Sequence, residues 1–226
     1  MRFFRNQFFS LYLLLLVFVI VSTLTRIMLL VKAFRSVHPG PLLLGKIFGV
    51  GLVYDLTTFT YFAMPFALAV VLLPHRFCRS RIGKFIFCAL FFLTIYALLF
   101  DMAAEYFFFD EFGTRFNFIA VDYLIYTTEV LRNIRESYPI APILAGLLTA
   151  CFLIFRLVKP RLVTALETAA SMRYRLAAAA VFILLPLVSY RWVDLSFTEI
   201  STNSFANELA GNGLYDLAAA FRNNEL

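Results

Sequence analysis

The chain has 226 residues, 62% hydrophobic and 15% charged, with a mean hydropathy of +0.84, far from the roughly half-apolar makeup of a soluble domain. Such a chain belongs in lipid, and at roughly 20 apolar residues per crossing it holds several spanning helices and no large soluble domain. The net charge of +6 does not indicate nucleic acid, because most basic residues sit at the ends of apolar runs, where they act as topology signals.

The first apolar run covers about 8–31. It is too long for the apolar region of a cleaved signal peptide and reads as a retained signal anchor. Arg26 interrupts it, and Lys32, Arg35 and His38-Pro39-Gly40 end it. The second run covers about 43–73, with Asp55 inside and Pro65 as a kink of the kind membranes tolerate. Pro74 and a basic loop of Arg76, Arg79, Arg81 and Lys84 close it. The third covers about 85–108, and Asp101 and Glu105, four residues apart on one helical face, mark its emergence into the interface.

The segment 116–138 then places Ile119, Tyr123, Tyr126, Val130 and Ile134 at near-helical spacing. It is expected as an amphipathic helix on the outer surface, lying among headgroups or packed over the bundle mouth. The fourth run covers about 140–158 and the fifth about 176–193, separated by a second basic loop. The tail, 194–226, is polar and mixed. It reads as a linker with one short amphipathic helix, carrying Leu214, Leu217, Ala218 and Phe221, after the turn Gly211-Asn212-Gly213. The expected fold is therefore all-α: a five-helix transmembrane domain over 1–193, followed by an extracytoplasmic linker.

With the N-terminus inside, Arg2, Arg5 and both basic loops become cytoplasmic, and Glu167 is the acid that accompanies them. The positive-inside bias thus favours a cytoplasmic N-terminus and an outer C-terminus.

Motifs for chemistry are scarce. The cysteines Cys78, Cys88 and Cys151 form no C-x-x-C pair, and His38 and His75 fall on opposite sides of the expected membrane. No H-E-x-x-H, G-x-S-x-G or P-loop pattern occurs, so no catalytic, cofactor-binding or metal-ligating residue is assigned. Asp55 is the carboxylate expected within the hydrocarbon, where an acid is costly enough to suggest a site. Two readings stay open for it: a structural pair with Arg26 on the preceding antiparallel helix, or a lipid-substrate or proton role. Asp101, Glu105, Asp122, Glu129, Arg132 and Arg135 join it as candidate headgroup-binding or structural polar residues.

The tract FNFIAVDYLIYTTEVLRNIRESYP, the later NSFANELAGNGLYDLAAAFRNNEL and the stretch Gly51-Leu52-Val53-Tyr54-Asp55 resemble the membrane half of lipoteichoic acid synthase-like proteins. These form the membrane-anchored branch of the sulfatase and alkaline phosphatase superfamily, and the likeness is to its Gram-negative members. The resemblance implies a multi-pass protein of the bacterial inner membrane with an anionic phospholipid as donor. It also implies an extracytoplasmic domain, downstream or separate, carrying a threonine nucleophile and a divalent metal, usually manganese. That domain would transfer phosphoglycerol-like groups or cleave phosphate or sulfate esters. None of its nucleophile or metal-ligand positions maps onto this sequence. A small polytopic transporter subunit and a membrane scaffold are the rival expectations.

Overall fold

In the computed structural model, residues 7–125, Arg132 and 136–223 are described. All regular structure among them is helical. Five helices are long and apolar enough to cross a membrane: α1 Phe9–Val37, α2 Pro41–Phe62, α5 Arg81–Phe112, α7 Ile140–Glu167 and α8 Met172–Trp192. Between them lie α3 Met64–Leu72, α4 His75–Arg79 and α6 Phe118–Ile125, and after them a 3₁₀ turn Leu195–Thr198, α9 Ser204–Ala210 and α10 Gly213–Asn223.

Local chemistry sets these boundaries. His38 ends α1 in the left-handed conformation, its N–H donating to the Phe34 carbonyl, and Pro41 starts α2 at a position where a missing N–H costs nothing. Pro65 breaks the second crossing into α2 and α3 at Ala63, where the expected kink lies. Ser80 caps α5 by accepting from the Gly83 N–H at 3.0 Å, and Gly113 ends it with φ +68°. This last helix continues beyond Glu105 to Phe112, about two further turns. Glu105 is buried in the packed end of this helix.

α1 is the central helix, packed against α2, α5, α7 and α9. α5 also packs on α7, and α8 lies against α2 and α3. One apolar core, with Leu14, Phe18, Phe66, Phe87, Phe91 and Ile95, fills the bundle. A smaller core at the opposite end joins Leu29, Ala33, Ile47 and Phe109 to Ala206 and Leu209 of α9. By contrast, α7 and α8 expose most of their apolar surface, including Phe152, Leu153, Leu184 and Leu187, as lipid-facing helices do.

The tail departs from the expected linker. It contains two helices, and α9 inserts between α1 and α2 with Ala206, Leu209 and Ala210 fully buried. In α10 Gly213 and Ala219 are buried, whereas Ala218 and Phe221 are exposed. The outer segment also differs: in α6 the buried residues are Ala120 and Val121, while Tyr123 is exposed with its ring edge-on to Phe112. The reason is that α6 packs against α10, so a protein neighbour selects its buried face.

The α4–α5 elbow leaves no room at Gly83, where a Cβ would lie 1.9 Å from the Phe77 carbonyl oxygen, whereas Gly146 on α7 has open space. Gly83→Ala is expected to destabilise the bundle by about 1–3 kcal/mol, and Gly146→Ala to leave it unchanged or slightly stabilised. Thermal unfolding of the two variants in detergent measures the difference.

Candidate functional site

The buried charged residues among those described, Arg26, Asp55, Glu105 and Arg115, converge on the tail. Arg26 comes from the inward face of α1 and is 1% exposed. It forms a bidentate pair with Asp55 of α2, Nη1 donating to Oδ2 and Nη2 to Oδ1, both at 2.9 Å. Its remaining donors turn to the tail: Nε reaches the Leu209 carbonyl and Nη2 the Gly211 carbonyl, each at 3.0 Å. These carbonyls close the C-terminal end of α9, where a cation is favoured by the unpaired C=O groups and the helix dipole. Asn212 donates from Nδ2 to Asp55 Oδ1 at 2.9 Å. The charge pair is thereby surrounded by main-chain and side-chain partners from three parts of the sequence, the arrangement that makes a buried pair tolerable.

Glycine makes this approach possible. A Cβ at Gly51, one helical turn before Asp55, would fall 2.3 Å from the Arg26 guanidinium carbon. On the other side of the tail turn, a Cβ at Gly213 would lie 2.5 Å from the Glu105 carboxyl.

A second cluster adjoins the first. Arg115, in the loop after α5, is 2% exposed and pairs through Nη1 with Glu105. Its Nε donates to the Glu208 carbonyl, and its main-chain N–H to the Glu208 carboxylate, both at 2.7 Å. Two atoms here are buried with no hydrogen-bond partner among the described residues: Arg115 Nη2 and Asp216 Oδ1. Burial pushes the Asp216 carboxyl well above the ordinary carboxylate range; Arg115 opposes this, Glu105 and Glu208 reinforce it, and Arg26 again opposes it. Glu208 is raised as well, first by burial, against the pull of Arg115. The tail is further pinned where it leaves α8. Tyr54 donates to the Asp194 carbonyl, Tyr215 donates to the Val193 carbonyl at 2.6 Å, and the two rings meet edge-on at 5.0 Å.

Of the residues singled out from sequence, Asp55 and Glu105 therefore meet at the tail turn, and Asp101 lies one turn deeper on α5. Asp122 is half-buried on α6 and apart from them, and Arg132 is exposed. Glu129 and Arg135 lie outside the described residues. Arg115, Glu208, Asn212 and Asp216 belong to the site and were not singled out. The spacing of Gly211-Asn212-Gly213 signalled a turn, but nothing local signalled that the turn is buried against Asp55. Among the described residues no group of three or more histidines, cysteines and carboxylates is arranged to hold a metal ion, so no step through a metal is derived for this chain.

No protein family, no curated protein and no solved structure matches the chain.

Removing one partner of the buried pair strands the other. Asp55→Ala is expected to cost about 3–5 kcal/mol and to expose the tail to protease. Arg26→Met/Asp55→Leu recovers most of the loss in thermal melts while leaving the tail loose.

Because docking raises the Asp216 and Glu208 carboxyls above the ordinary values of an undocked tail, the docked tail binds protons more tightly and docking is strongest at low pH. It weakens as pH rises through their raised values. Hydrogen exchange of residues 204–223, corrected for intrinsic rates, is expected to show more protection at pH 5 than at pH 8. Asp216→Asn flattens that dependence.

Proposed function

We propose that this chain is the membrane anchor of a surface-polymer enzyme of the lipoteichoic acid synthase-like type, holding an extracytoplasmic catalytic domain over the bilayer. The observation that supports this reading most is the clamp on the tail. Arg26 ties α1, α2 and the C-terminal carbonyls of α9 together within hydrogen-bond distance. Polypeptide leaving the fifth crossing is thus folded back and fixed to the mouth of the bundle, and a domain joined to it inherits a defined height and orientation. A flexible linker would give neither. Fixed orientation matters when the substrate is a lipid headgroup, since confining both reactants to one geometry removes much of the entropic barrier to their encounter.

On this reading the chain lies in a bacterial cytoplasmic membrane with its N-terminus inside. The anchored domain supplies the threonine nucleophile and the divalent metal, and the anionic phospholipid donor reaches it from the outer leaflet. The anchor itself contributes position and no reacting group.

Two measurements test this. An alkaline phosphatase reporter is expected to be active when fused after Arg222 and inactive when fused within 76–84 or 168–173; the reverse pattern overturns the outer-surface reading. Reading the coding sequence past Leu226 is expected to reveal a frame continuing into a domain with a threonine nucleophile and metal-ligand histidines and aspartates. A stop codon there, with no partner enzyme copurifying, sinks the anchor reading in favour of a transporter.

A further inference from the structure

The fifth crossing has no length to spare. Residues 176–190 carry no charge, and from Arg175 to Arg191 α8 rises about 24 Å at about 1.5 Å per residue. Hydrocarbon of about 30 Å takes up all of that rise, so both arginines reach for the interfaces with their long side chains. Tyr190 and Trp192, on either side of Arg191, therefore sit where this helix leaves the bilayer at the tail end. Both are exposed, Trp192 by 73%. An indole, with an apolar body and one N–H donor, is favoured at that depth and costly in water.

The tail returns to the same level. Near the start of α10, Tyr215 donates to the Val193 carbonyl. Near its end, the Arg222 guanidinium carbon lies 5.1 Å from the centroid of the Tyr190 ring. Between those two residues α10 advances about 10 Å, whereas Tyr190 and Val193 are about 4.5 Å apart along α8. α10 thus runs across the end of α8 and not away from the membrane. One face of it is spent on protein, with Gly213 and Ala219 buried and α6 and α2 as neighbours. Ala218, Phe221 and Arg222, three and four positions apart, share another face and are exposed, Phe221 by 70%. Phe197, on the 3₁₀ turn directly after α8, is exposed as well.

This patch continues a surface that already faces lipid. Leu184, Leu187 and Val188 of α8 are exposed, and Tyr190, Arg191 and Trp192 prolong the same helix. Aromatic rings beside two arginines fit the boundary between acyl chains and phosphates, where the rings enter the apolar layer and the guanidinium groups meet phosphate oxygens. We propose that the end of α8 and the exposed face of α10 form one lipid-binding foot in the leaflet at the tail end. Trp192 and Phe221 lie in the headgroup–acyl boundary, and Arg191 and Arg222 engage lipid phosphates. The tail then has two supports, the buried arginine clusters on one side and lipid on the other. The inference rests on the docked tail and not on the enzyme reading, and it holds for either orientation of the chain.

Trp192 is the single tryptophan of the chain, so its fluorescence reports its own depth. The whole chain is reconstituted in phosphatidylcholine–phosphatidylglycerol vesicles that carry bromine either near the headgroup or near the chain ends, with aqueous iodide on both sides as the water-phase quencher. Trp192→Phe/Phe221→Trp moves the probe to α10, and Trp192→Phe/Leu184→Trp moves it about 12 Å deeper along α8 as a reference. At an interfacial depth of about 5–10 Å, the probes at 192 and 221 are expected to be quenched about twofold more by the shallow bromine than by the deep one. The order reverses at 184, and iodide quenches none of the three as it quenches free tryptophan. A probe at 221 open to iodide and insensitive to both bromines leaves α10 in water and overturns the foot. A probe there insensitive to all three quenchers lies under protein, a second copy or another partner, and overturns the lipid. Quenching at 192 or 221 that matches the reference at 184 puts that residue in the hydrocarbon core and overturns the interfacial placement.

Discussion

A guanidinium buried in a lipid-embedded bundle must be fully satisfied, and the tail end of this protein is organised by that requirement at Arg26. A charge in a low-dielectric interior costs several kcal/mol unless good geometry and hydrogen bonds offset it. Asp55 supplies the countercharge, but one carboxylate cannot engage every donor of the planar fork. The main-chain carbonyls of Leu209 and Gly211 at the end of α9 take two more, at 3.0 Å. Helix α9 is therefore drawn into the bundle, and the apolar contacts of Ala206 and Leu209 with Leu29, Ile47 and Phe109 follow from its position. Gly51 is required because any larger side chain would occupy the volume of the guanidinium.

The second arginine extends the same logic toward the interface with a different balance. Arg115 faces Glu105, Glu208 and Asp216, with Arg26 the further cation acting on Asp216, so carboxylates outnumber cations there. Burial raises the Asp216 and Glu208 carboxyls, which couples the docking of α9 and α10 to proton concentration. The two clusters share the turn Gly211-Asn212-Gly213, and each has one face against it. Loosening either is transmitted to the other through that short segment, since Asn212 both bonds Asp55 and accepts from the Tyr215 N–H at the start of α10.

The two ends of the bundle thus carry opposite characters. The tail end is rich in acids that are paired or buried, and the closed mouth there suits a rigid attachment. At the other end the basic residues of the α4–α5 elbow and of the α7–α8 connection gather, and Lys84 pairs with Glu167 there. Both follow from how the helix ends are connected: a long folded tail covers one end, and the five-residue α4 bridges the other.

The sequence by itself determined the membrane class, the five crossings, the Pro65 break and the charge asymmetry, because each rests on local composition over one helix length. It also singled out Asp55 with Arg26 as a possible partner, since a lone acid and a lone base in apolar runs on adjacent helices have few other solutions. It did not determine the burial of α9, the role of Arg115, or which face of α6 is covered. The stretch Ser204–Ala210 is too short and too mixed in polarity to announce a buried helix, and Arg115 has no distinguishing neighbour in the chain. Those features depend on contacts such as Arg26 with Gly211, 185 residues apart. Only the tertiary structure could decide them, because the donors left over on a buried arginine are counted in space and not along the chain.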